Sequence, residues 1–247
     1  NIADRIEKLA YDHGYHIIYC SMKNDEQRAK ELIQLFYDRQ IDGFIIAPTE
    51  GLSDDINNLL KSSVPVVLFD RPLADVETHT VISENVEGAY QGTLFLLEQK
   101  NAKRIGFVTT NSTQSQMKGR LEGYMKAVDT IGMDLLVKKI NPAQSEDEVV
   151  LQMKDFIADN KLDAVLFATN YLAINGLKAI KKYDLIVDKL ISFDENTTFG
   201  LVNPPVSAIS QNIQEIAQEV VRILVQQING KLDKIEHIVV PCNLIAR

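Results

Sequence analysis

The sequence predicts an α/β protein made of two doubly wound, mostly parallel sheets joined by several crossing segments. Three observations carry that prediction. Short β-branched runs alternate with amphipathic helical patterns about every 25–30 residues, the rhythm of right-handed βαβ units. The runs are apolar on both faces, as strands are when helices cover both sides of a sheet. From Val206 onward the rhythm breaks into strand, long helix and two short strands, an ending that suits a chain returning to earlier sheets.

Taken in order, Ile2–His13 reads as a helix with Gly14 just past it, where a left-handed cap is wanted. His16–Cys20 reads as a strand. Asp25–Asp38 is helical: Ala29, Leu32, Ile33 and Phe36 share one face while Glu26, Lys30 and Gln34 turn outward. Strand patterns follow at Gly43–Ala47, Pro65–Phe69, Arg104–Thr109, Leu135–Ile140, Ala164–Phe167, Lys189–Phe193 and Val206–Ser210. Between them stand helical patterns at Asp54–Lys61, Val86–Gln99, Gln116–Ile131, Glu146–Asn160 and Leu172–Lys181. The long helix Ile213–Ile228 closes on Asn229-Gly230, and Pro241 separates Ile238–Val240 from Leu244–Ala246. The polar stretch Gln99–Lys103 marks a lobe boundary, giving a first lobe of residues 1–101 plus 210–230 and a second of 102–209 plus 231–247. A doubly wound lobe ordinarily leads with a strand. The chain opens in a helix, so the protein is expected to continue upstream of Asn1.

Composition narrows the function. With 247 residues, 45% hydrophobic and 24% charged, the chain is that of an ordinary globular protein. No apolar run approaches the roughly 20 residues that cross a bilayer, so no membrane partner is expected. The net charge of −8 repels a phosphate backbone and no Lys/Arg cluster reverses it locally, so this part of the protein is not expected to hold nucleic acid by itself. Cys20 and Cys242 lie in apolar strand-like runs and read as buried free thiols, which favours the cytoplasm. His13, His16, His79 and His237 show no metal-ligand spacing; no metal and no cofactor is expected.

Catalytic motifs are missing as well: there is no G-x-G-x-x-G, no G-x-x-x-x-G-K-[ST] and no G-x-S-x-G. The adjacent Asp194-Glu195 could serve acid–base chemistry, but sequence neighbours point apart and a polar strand end explains them equally well. Binding is favoured over catalysis, and no catalytic residue is assigned.

More informative are the polar residues at the carboxyl ends of strands, where open α/β sheets place ligands. They are Asp70-Arg71, Asn111–Gln114, Thr169-Asn170 and Asp194–Asn196. Carboxylates accept from hydroxyls and a guanidinium bridges two oxygens, so the set suits a hydroxyl- or amide-rich small molecule. Capping of the following helices or turns is the competing reading for Asp70, Asn170 and Asp194.

Several segments resemble the lactose/galactose repressor family (LacI/GalR). Arg120-Leu121-Glu122-Gly123-Tyr124-Met125-Lys126-Ala127-Val128 resembles its R-x-x-G-[FY]-x-x-A-[LM] signature. Ile41–Ile46, Pro65–Arg71, Lys103–Phe107, Asn170–Gly176, Ser192–Asp194 and Pro205–Gln211 resemble further family segments, in the family's order and over essentially the whole chain. The resemblance implies a periplasmic-binding-protein-like fold and the effector-binding and dimerisation core of a bacterial transcriptional regulator. Its partners would be a small effector, a sugar or other polar metabolite, a second copy of the chain in a homodimer, and operator DNA reached only through a headpiece upstream of Asn1.

Carried over position by position, Arg120 and Asp194 become the leading ligand contacts, with Asp70 from the first lobe and Asn170 as a further one. Gln114 and Gln116 lie in the variable loop before Arg120. Phe167 falls where some members stack an aromatic, although plain core is the competing reading. Gln211 lies at a lobe crossing with structural and ligand roles both open. Two positions depart from the family: Tyr171 replaces an Asp and could stack or pack, and Ser192 replaces a Gly. An exported sugar receptor serving a transporter is the alternative, and a sugar- or nucleotide-modifying enzyme a more distant one.

Overall fold

The computed structural model describes residues 1–232 and 234–247. The chain divides into two compact units, Asn1–Ser83 with Asn212–Val240, and Glu84–Gln211 with Pro241–Arg247.

The first unit carries a four-stranded parallel sheet whose strands, in spatial order, are Phe44–Ile46 (β1), Val66–Phe69 (β2), His79–Ser83 (β3) and, arriving late in the chain, His237–Val240 (β9). Helices lie against both faces. Val67 and Val81 pack with Ile6 of Ile2–Asp12 (α1) and with Ile216, Val220 and Leu224 of Ile213–Ile228 (α8). Val66 and Leu68 point the other way, toward Ala29 and Ile33 of Glu26–Asp38 (α2) and Ile56 of Ser53–Lys61 (α3). This is the period-2 alternation of a strand buried on both sides. Asp25 caps α2 by accepting from Arg28 N, and Asn212 caps α8 by accepting from Glu215 N.

The second unit holds six strands in the order β10-β8-β7-β6-β4-β5. They are Ile105–Thr110 (β4), Val137–Ile140 (β5), Ala164–Phe167 (β6), Lys189–Phe193 (β7), Val206–Gln211 (β8) and Cys242–Ile245 (β10). All pair in parallel except β10, which runs antiparallel to β8 at the edge. The helices are Asn85–Leu94 (α4), running into a π-helical turn Phe95–Gln99, then Ser115–Thr130 (α5), Glu146–Asp159 (α6) and Asn170–Tyr183 (α7). A capping box closes the start of α6: Ser145 Oγ accepts from Glu148 N while the Glu148 carboxylate accepts from Ser145 N.

Four sequence expectations are corrected. The lobe boundary falls at Ser83/Glu84 instead of residue 101. The reason is packing: Ala89, Phe95 and Leu96 belong to the core of the second unit. The return segments shift likewise, since β8 keeps Gln211 in the second unit while pairing with β3 draws β9 into the first. His16–Cys20 is extended but pairs with no strand among the described residues; a strand exists only through its neighbour's hydrogen bonds. Ile17 packs on the α1/α8 core, whereas Ile18 and Cys20 are exposed, so Cys20 is not a buried thiol. Cys242 is half-buried, and burial pushes its thiol up to about 11.

Strand β3 escaped the sequence reading because much of it is polar. Buried polar groups at its start are satisfied across the sheet: Thr78 Oγ1, one residue before β3, donates to Val66 O at 2.9 Å, and His79 Nδ1 accepts from Glu236 N at 3.1 Å. His79 is only 5% exposed. Burial depresses its pKa below the ordinary 6.5, with Glu236 opposing and His237 and Arg222 adding to the depression. Because the unfolded chain then binds the extra proton more readily, stability is full above pH 6.5 and is lost as the pH falls through the depressed folded value. Urea unfolding between pH 7.5 and 5.5 is expected to show this loss, and His79→Asn, which retains an acceptor without titrating, is expected to reduce it. An unchanged pH dependence in that variant would assign the effect elsewhere.

Candidate functional site

The second unit gathers most of the predicted binding residues at the carboxyl edge of its parallel strands. Arg120 sits in the second turn of α5 and is 3% exposed. Its described partners include protein acceptors and a ring. Its Nε donates to Asn85 Oδ1 at 2.9 Å, and its Nη1 donates to Ala168 O at 2.7 Å and Asp194 Oδ2 at 3.3 Å. The guanidinium lies 3.7 Å above the centre of the Phe193 ring. A delocalised, weakly hydrated cation is suited to this arrangement: stacking covers one face and leaves the N–H fork in plane.

Asp194 follows β7 directly, with φ at 69°, a left-handed conformation unusual for a residue with a Cβ. The turn is fixed by its own N–H, which donates to Ile209 O at 2.9 Å. Gln211 Nε2 donates to Asp194 Oδ1 at 2.5 Å, and Ser192 Oγ donates to the Phe193 and Asp194 carbonyls at 2.8 and 3.3 Å. The serine at the departure from the family pattern thus braces the Asp194 turn. Each Asp194 oxygen meets a different donor, Arg120 or Gln211. Backbone strain over-determined in this manner is a mark of functional turns.

Glu195 goes elsewhere. Its carboxylate takes two hydrogen bonds from Arg247, at 3.1 and 2.9 Å, and its carbonyl accepts from Asn170 Nδ2 at 3.4 Å. The adjacent carboxylates therefore occupy separate ion pairs. Asn170 opens α7, which Thr169 caps by accepting from Leu172 N. Tyr171 is 53% exposed, and Gln116 is buried in the first turn of α5. Gln114 is half-buried at the N-cap position without a side-chain capping bond.

Phe167 is corrected to core. It has no exposed surface, and its ring closes on Gly176, where an added Cβ would approach within 2.3 Å. The space beside that glycine is what the ring fills. Asp70 lies in the first unit, at the end of β2, and repeats the geometry of Asp194. Its φ is 68°, its N–H donates to Val81 O at 3.1 Å, and Arg71 Nε donates to its carboxylate at 3.2 Å. Sequence reasoning missed Asn85 and Arg247. Asn85 carries a faint signal, an amide at the start of a helix; Arg247, beyond the last strand run, carries none.

Two α/β units, each ending a parallel strand in a left-handed aspartate, with an arginine–aspartate pair and convergent amides in one of them, define a ligand-binding receptor architecture. A family model described as a periplasmic binding protein-like domain matches residues 95–247. The HTH-type transcriptional repressor PurR of Pasteurella multocida is 25% identical over 244 residues, covering 94% of this chain and 71% of the relative. Two solved structures superpose on the whole chain. They are the Cra dual regulator of Pseudomonas putida with fructose 1-phosphate (22% identity, TM-score 0.88, 92% of that chain) and a LacI family regulator from Enterococcus faecium with bound ribose (21%, 0.85, 91%). The chain belongs to the periplasmic-binding-protein-like family. Curated relatives similar over nearly the whole chain carry the name HTH-type transcriptional repressor PurR.

Proposed function

We propose that this domain senses a small sugar or comparable polar metabolite through Arg120, Asp194 and Asn170 of the second unit, with Asp70 as a separate candidate contact. Gln114, Gln116, Tyr171 and Gln211 complete the contact set. The observation that carries the reading is the Arg120–Asp194 pair. A buried guanidinium is held in plane and a carboxylate is held in a strained turn, both ahead of any ligand, which lowers the ordering cost of binding. Sugars in two solved relatives support the ligand class.

A bound ligand shifts a conformational equilibrium only by its differential affinity for the two states. Coupling between sites is typically about 1–3 kcal/mol. In this reading a homodimer carries the change to operator DNA through helix-turn-helix headpieces upstream of Asn1, and the protein works in the cytoplasm. Exposed apolar side chains such as Ile186 and Leu201 are of the kind a second copy would cover.

Titration calorimetry with neutral sugars, sugar phosphates and nucleobases tests the site. Asp194→Asn, which removes the charge and keeps the shape, is expected to weaken the best ligand by about tenfold or more. Wild-type affinity in both Asp194→Asn and Asp70→Asn would exclude these residues from the site. Sedimentation equilibrium tests the dimer.

A further inference from the structure

We propose that Arg247 is a positioning residue for the effector site, acting through Glu195 on Asp194 and Asn170; this rests on the reading that those two residues bind the ligand. The argument begins with what holds Arg247. Its backbone N–H donates to Ser207 Oγ at 3.1 Å, and its backbone carbonyl accepts from Lys100 Nζ. Its Nη1 donates to Val206 O at 2.8 Å. The residue is thereby tied to the start of β8 and to the end of the π-helical turn, both parts of the second unit's framework.

From that anchorage the guanidinium fork grips both oxygens of Glu195, at 3.1 and 2.9 Å. Planar two-point pairing fixes orientation as well as distance, which a single ammonium contact does not. Glu195 is the first residue after Asp194, and the fork also passes close to Gly200, where an added Cβ would lie 3.4 Å from Arg247 Nε. The loop beyond β7 is thus held at its start by this one side chain, which also runs beside Gly200.

Two ligand-binding groups depend on that loop. Asp194 needs its left-handed turn to keep one oxygen on Arg120 and the other on Gln211. Asn170 rests its amide against the Glu195 carbonyl, so a shift of residue 195 releases it. Arg247 touches neither Asp194 nor Asn170 in any described hydrogen bond. Its effect is transmitted through Glu195, so it sets the geometry of the site without being a contact.

The experiment combines ligand-free and ligand-bound measurements on the whole chain. Hydrogen exchange of the backbone amides from Glu195 to Leu201 is expected to quicken about tenfold in Arg247→Ala, with β4 and β6 amides unchanged. The side-chain amide resonance of Asn170 is expected to shift. Arg247→Lys is expected to restore the loop only partly, and Glu195→Arg combined with Arg247→Glu to restore it more fully than either single change. Glu195→Gln serves as a milder probe should Arg247→Ala fold poorly. With D-ribose as the affinity probe, Arg247→Ala is expected to weaken binding about tenfold. Unchanged loop exchange and an unmoved Asn170 resonance would overturn the proposal, as would exchange quickened equally throughout the unit. If wild type does not bind D-ribose, the ribose form of the functional reading fails, while exchange and resonance still decide the role of Arg247.

Discussion

Arg120→Ala is expected to abolish effector binding and to destabilise the second unit by about 3 kcal/mol, the lower end of the range for breaking a buried pair. The lower end applies because Asp194 is 27% exposed and can be rehydrated, although Arg120 itself is buried. Deletion removes the donor that serves Asn85 Oδ1, Ala168 O and Asp194 Oδ2 together, and opens a gap above the Phe193 ring. Arg120→Met separates these effects. It fills much of the volume and restores packing, but supplies no hydrogen bond, so part of the stability and none of the binding is expected to return. Arg120→Lys keeps the charge but not the fork or the stacked plane, and is expected to bind weakly. Denaturant unfolding with calorimetry on the same three variants checks both quantities. Tight effector binding by the methionine variant would show that the guanidinium serves folding alone.

How much of this was legible in the sequence depends on whether a residue's role is local. The helix at α2 was readable because its apolar face repeats with helical period, and β6 because it is apolar throughout. Strand β3 was not, since His79 and the preceding Thr78 are buried polar groups whose partners, Glu236 just before β9 and Val66 on β2, lie far off in sequence or on another strand. His16–Cys20 had a strand's composition, but composition does not supply a hydrogen-bonded neighbour. The boundary at residue 101 followed polarity, while the observed one follows the packing of Ala89 and Leu96. Asp70, Asn170 and Asp194 became candidates because strand ends are local features, and Arg120 through a family signature. Between the two readings left open for Phe167, aromatic contact or plain core, the choice turns on its packing against Gly176, which is decided across the fold. Asn85 and Arg247 act through partners 35 and 52 residues away in sequence, a separation that no local pattern records.

Asn85 also links the site to the packing of two helices, and the second large effect is expected there. Gly123 lies on the buried side of α5, facing α4. A Cβ built on it would stand 2.1 Å from Val86 O, 2.8 Å from Tyr90 N and 2.9 Å from the Ala89 Cβ. The first two are backbone atoms of a helix and cannot rotate away. Relief requires α4 and α5 to separate by about 1 Å or more, since unstrained contacts lie near 3.5 Å. In an open helix the same change would gain about 1 kcal/mol of propensity. Here overpacking is expected to dominate, with Gly123→Ala destabilising by about 2–3 kcal/mol. That corresponds to a fall in Tm of roughly 4–12 °C for a protein of this size. Gly119→Ala is the control on the same helix: its nearest neighbour is the Asn85 Cβ at 3.2 Å, a contact that a few tenths of an ångström relieves. Because Asn85 opens α4 and holds Arg120 Nε, displacement of α4 is also expected to weaken effector binding in Gly123→Ala beyond the loss seen in Gly119→Ala. Equal melting temperatures for the two variants would mean that the helices yield at little cost, and that their close approach does not fix the position of Asn85.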